Sequence, residues 1–126
     1  MMALDIRILS TATVLLLSLG LASPAFAHAR LVSATPAVNG MAMPPPTELR
    51  FKFSEGIEIK FTKVKVTGPS KKAVETGPAQ LDPSDKTLLI VPLTAPLPDG
   101  KYIIDWQAVG ADGHKTTGSY SFDSMQ

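Results

Sequence analysis

Few residues in this chain can do chemistry. It has two histidines, His28 and His114, and no cysteine, and Asp112 stands two positions before the second histidine in the tripeptide D-G-H. Without cysteine there are no disulfides, zinc–thiolate sites or thiol nucleophiles, so any metal must take N, O or thioether ligands. No Gly-x-Ser-x-Gly elbow and no phosphate-cradling glycine loop occurs. Nothing singles out a serine to partner His114, and no carboxylate pair stands apart from the surface acids. Metal ligation is the chemistry that remains.

His28 follows Ala25-Phe26-Ala27, a small-x-small cleavage site. The stretch before it has the build of a secretory leader. Arg7 gives a short positive start, beside the less usual Asp5. Ile8 to Leu21 is apolar, and Pro24 breaks any helix ahead of the site. A retained membrane anchor is the other reading, but the apolar run is short of the roughly 20 residues that a spanning helix needs. We therefore expect residues 1–27 to be a signal peptide and 28–126 to be the working, exported, soluble domain with His28 at its N-terminus. Cleavage would give His28 a free α-amine. Amine and ring Nδ1 can close a six-membered chelate on one ion. Adding the His114 imidazole and the Asp112 carboxylate makes three nitrogens and an oxygen. Tetragonal N,O sets suit Cu(II) or Ni(II), and copper stands highest in the divalent affinity order. One Cu(II) ion is the expected ligand.

Plainer readings compete. D-G-H is also an ordinary turn, with Asp112-Gly113 supplying the turn chemistry, and a histidine after a cleavage site can be accidental. What favours one site is economy: the only two histidines fall where one site needs them. If the chain around Asp112 and His114 is extended, their side chains leave on one face, and Gly113 lets the backbone bend so that the heads converge. Met41 and Met43 are thioethers that suit Cu(I), but they lie in a proline-flanked loop and are read as loop packing.

The elements that must hold these residues are strands. Leu49, Phe51 and Phe53 alternate with Arg50, Lys52 and Ser54. Val64 and Val66, then Tyr102, Ile104, Trp106 and Ala108, then Tyr120 and Phe122 do the same, which is the period of strands with one buried face. Turn signals separate the runs: Asn39-Gly40, Pro44-Pro45-Pro46, Gly68-Pro69, Gly77-Pro78, Asp82-Pro83, Asp99-Gly100 and Asp112-Gly113. About seven strands are predicted, near 29–34, 47–54, 61–67, 73–81, 86–91, 101–109 and 115–122, in an all-β sandwich. Trp106 should be core. Lys60, Lys63, Lys65, Lys71 and Lys72 should form a solvated face and hairpin tip. With 12 basic and 11 acidic residues the formal charge is +1, which argues against a nucleic-acid partner.

The stretches H-A-R-L-V-S-A-T-P, L-R-F-K-F-S-E-G, K-T-L-L-I-V-P, P-L-P-D-G-K-Y-I-I-D-W and D-G-H-K-T-T-G-S-Y-S-F together resemble the CopC-type periplasmic copper-binding proteins over essentially all of 28–126. The resemblance implies an immunoglobulin-like β-sandwich and a Cu(II) site at His28, Asp112 and His114. It adds Glu55, from the F-S-E motif, as a further ligand or a neighbour of the ligands. It implies a carrier of copper in homeostasis or resistance, not an enzyme: a periplasmic monomer with a CopD-type inner-membrane partner. Some relatives bind Cu(I) through a methionine-rich loop, whereas the matching stretch here, Thr67 to Gln80, has no methionine. Two other functions remain open at this point. One is a copper-dependent oxygenase built on an N-terminal histidine chelate, and the other is a metal-free immunoglobulin-like module.

Overall fold

The computed structural model describes residues 28–126, so the leader expected over 1–27 lies outside the described residues. Alternation of buried and exposed side chains produces two four-stranded sheets packed face to face. The strands are β1 (Leu31–Thr35), β2 (Met41–Ala42), β3 (Glu48–Phe53), β4 (Lys63–Thr67), β5 (Gln80–Asp82), β6 (Asp85–Pro92), β7 (Gly100–Val109) and β8 (Lys115–Ser124). One sheet runs β1-β3-β6-β5 and the other β2-β8-β7-β4. All pairings are antiparallel except β2 with β8. The expected all-β immunoglobulin-like sandwich is thus the fold, with eight strands rather than about seven.

The inward faces are those that the period-two reading picked out. Leu49, Phe51 and Phe53 of β3 and Leu89 and Val91 of β6 face Tyr102, Ile104 and Ala108 of β7 and Tyr120 and Phe122 of β8, all buried. Edge-on aromatic pairs join the sheets, Phe51 to Tyr120 at 6.1 Å and Phe53 to Trp106 at 5.4 Å between ring centroids. Truncating one such Phe typically costs about 3–5 kcal/mol. Trp106 packs against the core but is only partly buried. It lies across Gly118, its partner in the β7–β8 ladder. A Cβ on Gly118 would sit 2.4 Å from the indole, so the bare backbone there makes room for the ring. The Tyr102 hydroxyl donates to the Pro98 carbonyl at 2.6 Å, a tyrosine corner that ties the start of β7 to the loop before it.

Three local expectations are corrected. The segment 73–81 is strand only at Gln80–Asp82, with isolated bridges at Ala73 and Thr76, because Gly77-Pro78 interrupts it and proline cannot donate to a ladder. Met41-Ala42 is a short strand rather than loop. Met41 and Met43 are exposed by 59% and 61%, so neither thioether packs the core. Ile59–Phe61 forms a single 3-10 turn before β4. The lysines at 60, 63, 65, 71 and 72 are all exposed, as expected.

On the outer face of the first sheet, the Lys52 ammonium reaches Asp85 Oδ2 at 2.6 Å, pairing β3 with the start of β6. That contact, with the hydroxyl and amide of Thr87, pulls the Asp85 carboxyl from its ordinary 3.8 to about 2. The folded value is depressed, so this stabilisation is present above 3.8 and is lost as pH falls toward 2. We expect Asp85→Asn to lower the denaturant midpoint at neutral pH. The gap to wild type should close across that acid window in denaturant titrations run at a series of pH values.

Candidate metal centre

The ten-pair antiparallel ladder between β7 and β8 runs from Gly100↔Ser124 to Val109↔Lys115, and the residues that link its two strands carry Asp112 and His114. Here the chain turns. Gly113 takes a positive φ of 83° with open space around its Cα, the left-handed conformation glycine adopts without strain. Its N–H donates to the Gly110 carbonyl at 2.9 Å, and Gly110 N–H donates to the His114 carbonyl at 3.0 Å. Asp112 Oδ1 accepts the His114 backbone N–H at 3.0 Å, an Asx-type turn. The two heads therefore converge through a turn, not through an extended segment. D-G-H is thus a turn, as the plainer reading has it, and the turn brings the Asp112 and His114 side chains together.

Asp112 Oδ2 lies 2.9 Å from His114 Nδ1 and 3.8 Å from His28 Nδ1. The two imidazole rings meet edge to face with centroids 4.7 Å apart. One donor atom from each of His28, Asp112 and His114 lies within 4.8 Å of the other two. Bonds of about 2 Å to a central ion separate opposite ligands by about 4 Å, so small side-chain rotations suffice to close the set. The histidine side chains are 55% and 60% exposed while that of Asp112 is 15% exposed. The carboxylate is thus the fixed post and the rings are open to solvent. Hydrogen bonds from the His114 ring and backbone, with its charge and that of His28, hold the Asp112 carboxyl below the ordinary carboxylate value. It is ionised throughout the neutral range.

Glu55 arrives from the other sheet. It follows β3, and its loop is stitched to the end of β7. Ala111 N–H donates to Gly56 O at 2.9 Å, Glu58 N–H donates to Val109 O at 2.8 Å, and Ile57 bridges Gly110. Glu55 Oε1 is buried and has no hydrogen-bond partner. A Cβ on Gly110 would stand 2.2 Å from Glu55 Oε1 and 3.0 Å from Asp112 Oδ1. Gly110 therefore leaves the space that both carboxylates border. An unpaired buried carboxylate oxygen is costly unless something meets it, and a cation beside it supplies that partner.

Sequence reasoning named these four residues and missed the groups that seat them. Gly110 reads in the sequence only as a strand-ending glycine. Thr116 extends the inward series of Gly118, Tyr120 and Phe122 on β8, a polar residue on a buried face. That parity was the available signal. Met41 and Met43 stand beside the far end of β8, across ten residues of strand, about 30 Å from His114, and take no part.

A two-sheet sandwich that gathers two imidazoles and a carboxylate at one end, with a second carboxylate unpaired behind them, presents the donor set of a small metal-binding module. A family model described as the CopC domain matches residues 31–124. The chain is 41% identical over 108 residues to Protein YobA of Escherichia coli (strain K12), covering 85% of this chain and 87% of that one. It is 35% identical over 116 residues to Copper resistance protein C of Escherichia coli, covering 84% and 88%. The solved structure of PcoC, a methionine-rich copper resistance protein from Escherichia coli, matches with a TM-score of 0.69 at 30% identity, over 79% of this chain and all of that one. The chain belongs to the CopC domain family.

Gly110→Ala should force Glu55 aside and lower stability by about 1–3 kcal/mol, read as a drop in melting temperature. Combining it with Glu55→Ala should cost less than the sum of the two single changes, because the clash disappears with the carboxylate.

Proposed function

We propose that this protein is a periplasmic copper(II) carrier. In this reading residues 1–27 direct export and are removed, and residues 28–126 hold one Cu(II) ion for copper homeostasis or resistance. The observation that carries it is the convergence of His28, Asp112 and His114, from two stretches more than eighty residues apart, to within 4.8 Å. The names of the copper resistance relatives support it. Cut after Ala27, His28 offers its amine and Nδ1, and His114 offers a ring nitrogen. Asp112 offers Oδ2, or accepts the Nδ1–H of His114 and so fixes the tautomer that leaves Nε2 for the metal. Glu55 adds negative charge behind the set. Open histidines let copper enter and leave without unfolding the sandwich, which suits holding and handing over rather than turnover. We propose a CopD-type inner-membrane protein as the recipient, and a monomeric carrier.

A copper enzyme acting on polysaccharide is not favoured. Such an enzyme needs aromatic rings for sugars to stack on, and of the Phe, Tyr and Trp side chains among the described residues only Phe61 is exposed.

The test is a thermal melt of correctly cleaved protein with and without Cu(II). A single tight site should add about 2.7 kcal/mol at a hundredfold excess over its dissociation constant. His114→Ala, or one extra residue before His28, should largely abolish the shift. Affinity should also weaken as pH falls, because protons compete with the metal for the nitrogen ligands. An unchanged melt on adding copper, or an extended chain that binds as tightly as the cleaved one, would refute the proposal.

A further inference from the structure

His28 lies outside every strand: β1 begins at Leu31. A side chain and an amine at a chain end are ordinarily loose, and a loose ligand must be ordered at the moment of binding. This one is held. Ala29 is fully buried in the core. Its carbonyl accepts the Thr116 hydroxyl at 2.8 Å. Arg30 is fastened twice to Ser54: its N–H donates to the Ser54 hydroxyl at 2.9 Å, and its carbonyl accepts the Ser54 N–H at 2.8 Å. Each anchor neighbours a residue of the candidate site. Thr116 stands two residues after His114 on β8, and Ser54 immediately precedes Glu55. The arm is therefore tied to the two stretches that carry the other donors.

We propose that Thr116 and Ser54 are positioning residues. They form a strap that sets the register of the N-terminal arm, so that residue 28 and no other presents its imidazole to Asp112 before any metal arrives. The inference rests on the reading of His28 as a copper ligand. Ala29 fills its place in the core, so the arm cannot slide by one residue without pushing the His28 side chain into that place. The site is thus built in the metal-free chain, and binding does not have to order the arm.

The strap is tested on the cleaved protein with Thr116→Val, which is close in shape but removes the donor, with Thr116→Ser, which restores it, and with Ser54→Ala on the surface. Thr116→Val leaves the Ala29 carbonyl unpaired and should weaken Cu(II) binding about tenfold. The electron paramagnetic resonance spectrum should change toward a set with fewer nitrogens. Thr116→Ser should restore both, and Ser54→Ala should weaken binding severalfold. Amide relaxation of Ala29 and Arg30 by NMR, without copper, should show a rigid arm in wild type and a mobile one in Thr116→Val. A wild-type arm already mobile without metal overturns the strap. So do wild-type affinity and spectrum in both Thr116→Val and Ser54→Ala. Should Thr116→Val fail to fold, Ser54→Ala and the wild-type relaxation data decide. A rigid arm in a wild-type protein that binds no Cu(II) would sink the copper reading and leave the strap standing.

Discussion

The ladder between β7 and β8 is the constraint on which the rest depends. Its ten residue pairs make one end of the sandwich a hairpin whose turn is too short to wander. That turn holds Asp112 and His114 in a fixed relation. The inward side chains of the same two strands, Tyr102, Ile104, Tyr120 and Phe122, are the floor on which β3 packs. Through β3 the packing positions Ser54 and Glu55, and through Ser54 it fixes the arm that ends in His28. A core contact and a site contact are thus consecutive links: moving β3 relative to β7 would separate Glu55 from Asp112.

The electrostatics of the site follow from where each group lies in this frame. Asp112 is tucked against its own turn and kept ionised by His114. Glu55 is half-buried, with its Oε1 out of solvent and without a partner. The imidazoles face water. Placing the acids behind and the rings in front makes a shallow well for a cation at the molecular surface. The acid oxygens lie deeper than the rings, and the ring donors stay accessible. Burying the histidines as well would slow exchange of a metal, and exposing the carboxylates would weaken their pull.

Much of this could be read in the residues. Alternation placed β3, β7 and β8 nearly to the residue, because each has one buried face and a side chain can only point in or out. The same logic failed for 73–81, where Pro78 removes a ladder donor, and for β2, which is too short to show a period. The site was legible because the chain carries so few histidines that their positions could be weighed singly. Glu55 was reached only through the family resemblance. In isolation it is one acid among 11, and only the folding of its loop onto the end of β7 places it behind Asp112. Gly110 and the strap were hidden for a related reason. Their parts depend on what faces them across the sandwich, and a small residue or a hydroxyl carries no mark of that in sequence.

The strap also bears on how export would complete the site. Before cleavage the nitrogen of His28 is an amide, and it cannot serve as an amine donor. The side chain nonetheless stands beside Asp112 in the uncut chain, with Ala29 seated and Thr116 bound to its carbonyl. Cutting the bond before His28 would therefore change one atom's chemistry without requiring the fold to move. A ligand made by proteolysis avoids the cost of ordering only where the new terminus is already in place. On the proposed reading, the demand falls on residues 29, 30, 54 and 116, which are not among the proposed ligands.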